Sequence, residues 1–350
     1  MKILVCYPGH IISTVDVAIG WEKALKKLGH EVYQLAYEYN VPFYGAVLAD
    51  WEDRNPDFHP TLNDTLWLAS QDLVCKVLEL MPLDLVLIVT GLLVHERGYV
   101  LLENLGVRTC LIFTESPYND HMLAQITPRV DLLFVNDKAS VEGFQEVNPT
   151  TFYMPHSYDP ERHHPPDMEP LDDEYRHQVF FLGSMYEERK ALFRALEDED
   201  AGDAELDIYA TSMDGRGRVT GGMQNAELVK HYWGSDIVLS PNRTTEDYFA
   251  KTQITKEAWS LGPRVYEVAA CGAFQLTDDS RPELETVFDG TIPVYHNAKE
   301  LAKLIKHYSE HADERRQVAE AVRERVLPCT FENRAKEILF PTITEVFGNG

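Results

Sequence analysis

Two sets of residues in this chain could do chemistry. The first is cationic. Gly183-Ser184 closes the apolar run Val179–Leu182, and Arg189 stands five residues beyond Ser184. A glycine turn at a helix start presents backbone N–H groups to a phosphate, and an arginine grips phosphate oxygens as a fork. The same spacing fits a plain strand-to-helix turn. Pro241-Asn242-Arg243-Thr244-Thr245 follows the run Ile237–Ser240, so Asn242 and Arg243 stand at another strand end. Arg264 and Glu267 belong to a third stretch, RVYEVAACGAFQLTDD (264–279). Together the arginines could hold a diphosphate. The second set could accept a proton. Asp120 lies in the polar loop TESPYNDH (114–121) after Thr109–Phe113, and His10 in the turn Pro8-Gly9-His10 after Lys2–Tyr7. Strand carboxyl ends are where α/β proteins keep chemistry. A loop cap or a turn residue is an equal reading of each.

The elements that position these residues follow from local pattern. Gly262-Pro263 starts a helix, since proline is pre-set for a first helical position. The small residues Ala269, Ala270, Cys271, Gly272 and Ala273 let that helix lie close to a sheet, and Gly272 is its stop. Phe274–Thr277 is then a short buried strand, and Asp278-Asp279 opens a loop. In a parallel α/β sheet the helix N-termini face the carboxyl edge of the strands, which puts Glu267 beside a ligand crevice. A solvated or dipole-complementing glutamate fits that position equally.

The sequence EVAACGAF, with Glu267 five positions before Gly272, resembles the Glu-Ala-x-Ala-Cys-Gly signature of GT-B glycosyltransferases, in particular the family 4-like group and its CgeB-like (spore maturation protein) branch. FLGSMYEER (181–189) is similar to the strand-Gly-Ser-x-x-x-x-Arg start of CgeB-like proteins. MPHSYDPERHHP (154–165) is similar to their interdomain segment, and TFENRA (330–335) to the entry of their final helix. The likeness is good from about Val179 to Leu339 and diffuse before that. It implies that Glu267 holds the ribose of a nucleotide-sugar donor, and that Gly183, Ser184, Arg189, Asn242, Arg243 and Arg264 complete the donor site. One departure stands out. The fuller family 4 motif carries a sugar-contacting glutamate eight positions before the first, and here that position is Trp259. The CgeB-like branch, with an arginine shortly before its glutamate, matches Arg264 and Glu267.

The rest of the chain reads as alternating strands and helices. Lys2–Tyr7, Glu31–Ala36, Leu85–Val89, Thr109–Phe113, Leu132–Val135 and Phe152–Met154 are strand-length apolar runs, with helices between them such as Thr61–Met81 and the one carrying Val17, Trp21, Leu25 and Leu28. Residues 40–60, rich in Pro, Asp and aromatics, read as a loop or insertion. The pattern is a doubly wound α/β fold. The resemblance makes it two Rossmann-like domains facing a cleft, with a C-terminal helix crossing back to the first. The expected boundaries are 1–157 for an acceptor domain, 158–178 for a linker, 179–330 for a nucleotide-sugar domain and 331–350 for the returning helix.

Composition bounds the partners. Asp and Glu number 57 against 32 Lys and Arg, a net charge of −25. That argues against a protein-wide phosphate-binding surface and against long nucleic-acid contacts. The five cysteines are scattered and odd in number, which reads as reduced thiols, not a disulfide framework. Met1-Lys2 leads straight into a strand, so the expectation is a cytoplasmic chain without a signal peptide, and no apolar run is long enough for a membrane span. His163 and His164 point in different directions among prolines, so no metal site is read there. The expected function is transfer of a sugar from a nucleotide-sugar donor, with UDP as its nucleotide, to an acceptor hydroxyl. No metal or other cofactor is expected. The acceptor is expected to be a glycan, protein or small molecule ahead of hydroxymethylated DNA. A GT-B-fold sugar-nucleotide epimerase and a non-catalytic sugar-nucleotide-binding protein are the alternatives.

Overall fold

The computed structural model describes residues 1–9, 12–167, 172–210, 218–219, 225–244 and 257–348. They divide into two compact units, one of residues 1–155 with 331–350, the other of residues 156–330.

The first unit is built on β1 (Lys2–Cys6), α1 (Ile12–Lys27), β2 (Glu31–Leu35), α2 (Tyr37–Arg54), α3 (Leu62–Leu80), β3 (Leu85–Val89), α4 (Glu96–Asn104), β4 (Thr109–Phe113), α5 (Asp120–Ile126), β5 (Leu132–Val135), α6 (Val141–Gln145) and β6 (Thr151–Tyr153). Its sheet has the order β2-β1-β3-β4-β5-β6, and every pairing is parallel. The strands β3, β4 and β5 are buried along their whole length. Helices cover both faces of such a sheet, which is why its strands read as unbroken apolar runs. The C-terminal segment packs here as well. It runs as α-helix over Phe331–Arg334, widens to a π-helical turn over Ala335–Leu339, and resumes over Phe340–Phe347. Pro341, in the first turn of the last stretch, has no N–H to continue the ladder. Phe331 meets Trp21 edge-on at 5.4 Å. The Phe331 ring fills the space where a Cβ on Gly20 would stand, only 2.2 Å from the ring.

Residues 40–60 correct the loop expectation, because 37–54 form α2. Its inner face, Tyr37 and Val41, is buried. Its polar tips are satisfied on α3 and beyond. Tyr37 Oη lies 2.9 Å from Ser70 Oγ and donates to the Leu93 carbonyl at 3.1 Å, while Asn40 and Tyr44 donate to the Asp72 carboxylate. Docking on α3 outweighs the one helical bond lost at Pro42. Thr61 and Asp64 close a reciprocal capping box at the start of α3.

The second unit contains β7 (His177–Gly183), α7 (Glu187–Glu197), β8 (Leu206–Ala210), β9 (Arg218–Val219), α8 (Asn225–Gly234), β10 (Ser235–Ser240), α9 (Pro263–Ala270), β11 (Gln275–Asp278), α10 (Glu283–Phe288), β12 (Val294–Tyr295), α11 (Ala298–Glu310) and α12 (Ala312–Val326). Its parallel sheet has the order β12-β11-β10-β7-β8-β9. The order reverses between β7 and β10. The described residues of the segment 158–178 group with this unit, where Tyr158 pairs with Thr330 and His163 is buried.

At the amino edge of this sheet, His177 Nδ1 lies 2.7 Å from the Asp207 carboxylate and its Nε2 2.8 Å from His231 Nδ1. Phe180 stacks on both imidazoles, and Tyr175, Tyr209 and Lys230 stand around them. Burial first, and then the neighbouring His177, push the His231 imidazole down to about 4. Burial and Arg162 do the same to His163, to about 4. Both are therefore neutral in the folded chain at pH 5, whereas a free imidazole takes its proton near pH 6.5. The unfolded chain binds more protons between about pH 6.5 and 4, so stability is full above that window and falls as pH drops through it. Urea unfolding followed at pH 7.5 and pH 5 should show a lower midpoint at pH 5. Equal midpoints would mean that neither imidazole resists protonation.

Candidate functional site

In a doubly wound sheet, ligands bind beyond the carboxyl ends of the strands where the order reverses. In the second unit those ends are Gly183 of β7 and Ser240 of β10. Arg189 spans them. Its Nη1 donates to the Ser184 carbonyl at 2.9 Å and its Nη2 to the Pro241 carbonyl at 2.9 Å. One guanidinium thus ties together the residues that follow both central strands. It is 8% exposed, its Nε has no hydrogen-bond partner, and the rings of Phe181 and Tyr186 lie at 5.6 and 5.3 Å. Burial, and then the neighbouring Arg264 charge, lower its pKa to about 10, so it stays cationic at neutral pH. Ser184 takes part through its carbonyl. Helix α7 begins at Glu187, so Gly183 is the last residue of β7 and not the turn that opens the helix.

Arg264 enters from the first turn of α9. Its Nη2 donates to the Leu182 carbonyl, and its guanidinium lies 5.1 Å from the Phe181 ring centre. Gly183 makes the room for it. A Cβ there would stand 2.5 Å from Arg264 Nη2 and 3.4 Å from Arg189 Nη1. Arg243 adds a third guanidinium, 4.6 Å from the Tyr186 ring centre. Both Arg264 and Arg243 disfavour the charge on Arg189, so the three cations sit within electrostatic reach of one another. Glu188 flanks them and accepts from the Thr244 amide at 2.8 Å. In a chain of net charge −25 this is a local concentration of positive charge, able to hold a polyphosphate.

Asn242 is inward-facing. Its amide and side-chain nitrogen donate to the two Asp278 oxygens at 2.7 and 3.1 Å, and Nδ2 also reaches Thr277 Oγ1 at 3.3 Å. Those bonds join the ends of β10 and β11. Glu267 is half-buried on α9, one turn past Arg264, and its charge helps raise the pKa values of Tyr232 and Cys271, after burial. Gly272 ends the helix at φ +70°. Asp120, in the first unit, heads α5 and accepts from Ser116 Oγ at 2.7 Å and from Ser140 Oγ at 2.6 Å. His10 lies outside the described residues. Tyr186 and Arg281, which shape the arginine cluster, are not among the residues the sequence marks. The aromatic of FLGSMYEER was a signal for the first, and nothing local marks the second. Among the described residues, no group of three or more His, Cys, Asp or Glu is placed to hold a metal ion. Among them too, no helix is long and apolar enough to cross a membrane.

Residues 184–339 match the family described as Glycosyl transferase-like. Over 107 residues the chain is 30% identical to the spore protein CgeB of Bacillus subtilis (strain 168), a match covering 30% of this chain and 32% of that protein. Sucrose-phosphate synthase from Thermosynechococcus elongatus superposes with a TM-score of 0.63 at 11% identity, over 99% of this chain and 100% of its own. HepE from Anabaena, solved in complex with UDP and glucose, superposes with a TM-score of 0.59 at 11% identity, over 97% and 100%. At such identities the likeness is one of fold. The matched segment, residues 184–339, is thus similar to a glycosyltransferase family, and the chain shares the two-sheet α/β fold of these solved structures. The likeness to CgeB extends over about a third of that protein's length.

Proposed function

We propose that this protein transfers a sugar from a nucleotide-sugar donor, held by the second unit, to an acceptor hydroxyl, and that it does so without a metal. The observation that carries the reading is the convergence of Arg189 and Arg264 on Gly183, with Arg243 beside them over Tyr186, at the point where the strand order reverses. When the sugar leaves, negative charge develops on the departing nucleoside diphosphate. Fixed guanidinium groups stabilise that charge without reorganising. Glu267 binds the ribose in this reading, and UDP is the nucleotide, as in the HepE complex. Asp120 and His10 are the proposed bases for an inverting transfer. The acceptor is a glycan, protein or small molecule in preference to hydroxymethylated DNA, because the overall charge opposes long phosphate contacts. A cytoplasmic location belongs to the same proposal.

A thermal-shift panel of nucleotides and nucleotide sugars tests the reading, since a ligand that binds only the folded state raises its apparent stability. A rise with UDP and with one UDP-sugar supports it. No rise with any nucleotide counts against it. Glu267→Ala should then weaken binding of the responding nucleotide sugar about tenfold while thermal unfolding stays the same, the loss expected for a charged hydrogen bond. Unchanged affinity by calorimetry would leave Glu267 a surface residue.

A further inference from the structure

Arg281 and Glu283 are charged, yet they are only 4% and 2% exposed, and the reading of the donor site gives them no task. A charge so deeply buried is costly unless its hydrogen-bonding groups are satisfied. The described bonds of Arg281 go to backbone. Its Nη1 donates to the Ala258 and Ser280 carbonyls, each at 3.3 Å, and its Nη2 donates to the Arg243 carbonyl. Glu283 continues the grip. Its carboxylate accepts from the Leu261 amide at 2.6 Å, and its own amide donates to the Trp259 carbonyl at 3.1 Å. The short turn between β11 and α10 thus holds both ends of the connection from β10 to α9. One end carries Arg243 and the other leads into Arg264.

The end of β11 holds two successive residues in two ways. Asp278 takes Asn242 through a backbone and a side-chain bond, and Arg281 takes the next carbonyl, that of Arg243. With its backbone pinned on both sides, Arg243 presents its guanidinium over Tyr186 beside Arg189. Resting on the donor-site reading above, we propose that Arg281 is a positioning residue that acts through Arg243, fixing where that cation meets the diphosphate of the donor. The bonds described for it end on backbone oxygens, so its proposed effect on the phosphate runs through Arg243.

The test is a double-mutant cycle read by calorimetry with UDP and with uridine. Arg281→Ala should weaken UDP binding about tenfold and leave uridine nearly unchanged, the cost of misplacing one charge-assisted contact. Arg243→Ala should do the same. In the Arg243→Ala background, Arg281→Ala should have no further effect on UDP, because residues that act as one unit are not additive. A residue that only supports the fold would lower thermal stability and weaken UDP and uridine alike, in both backgrounds. That result overturns the proposal. If Arg243→Ala leaves UDP binding intact, the donor-site reading of Arg243 fails first, and the positioning role with it. Should Arg281→Ala fold poorly, Arg281→Lys keeps the charge but lacks the fork that spans the Ala258 and Arg243 carbonyls. It should show the same selective loss of UDP affinity, and wild-type UDP affinity in a folded Arg281→Lys would also overturn the proposal.

Discussion

Arg264→Ala will lower affinity for UDP by about one to two orders of magnitude, while affinity for uridine changes much less. The expectation follows from where the charge sits. The Arg264 guanidinium is anchored on the Leu182 carbonyl and lies against the Phe181 ring, beside Gly183 and the Arg189 charge. A hydrogen bond from a charged donor is worth about 1.5–3 kcal/mol, and each 1.4 kcal/mol is about tenfold in affinity. Removing the side chain also takes a donor from the Leu182 carbonyl, so a modest fall in thermal stability should accompany the loss. Calorimetry with the two ligands separates the effects. A stability defect alone would weaken both ligands equally, and an equal loss would show that Arg264 supports packing instead of binding phosphate.

Gly183→Val should be at least as damaging to nucleotide binding. The substitution does not remove a charge. It places carbon where the arginines converge, with the first added atom 2.5 Å from Arg264 Nη2 and 3.2 Å from the Phe181 ring. Arg264 must then swing away and give up the Leu182 carbonyl. Arg189 is the less able to yield, because both of its Nη groups are bonded to backbone at the ends of β7 and β10. Overpacking of this kind costs about 1–3 kcal/mol in stability. The loss of UDP affinity should exceed that of Arg264→Ala, because the branched side chain also occupies the crevice. A Gly183→Val protein that binds UDP as the wild type does would show that the phosphate lies elsewhere on the sheet edge.

Both expectations concern residues that were visible in the sequence, although their arrangement was not. Residue type and likeness to a family mark Gly183, Arg189 and Arg264. Nothing in their spacing told that Arg189 would bond carbonyls 5 and 52 residues away along the chain. The same signals mark Asn242, yet its side chain is turned inward to Thr277 and Asp278.

What the sequence determined by itself was the local and the repetitive. Strands buried on both faces need no alternation, so Leu85–Val89, Thr109–Phe113 and Leu132–Val135 read as strands and are strands over those same residues. The start of α9 at Pro263 and its stop at Gly272 followed from one residue's fixed φ and another's freedom at positive φ. What only the tertiary structure decided was whatever depends on strand order. The helix α2 was missed because its aromatic residues and Pro42 lack a clear helical stripe, and its polar tips find partners only once α3 lies beside it. The arginine cluster exists because β7 and β10 are neighbours, although 51 residues separate Gly183 from Gly234, after which β10 begins. Arg281 takes its meaning from the same cause. Its bonds to Ala258 and Arg243 span 23 and 38 residues, and no local pattern encodes contacts that the order of a sheet creates.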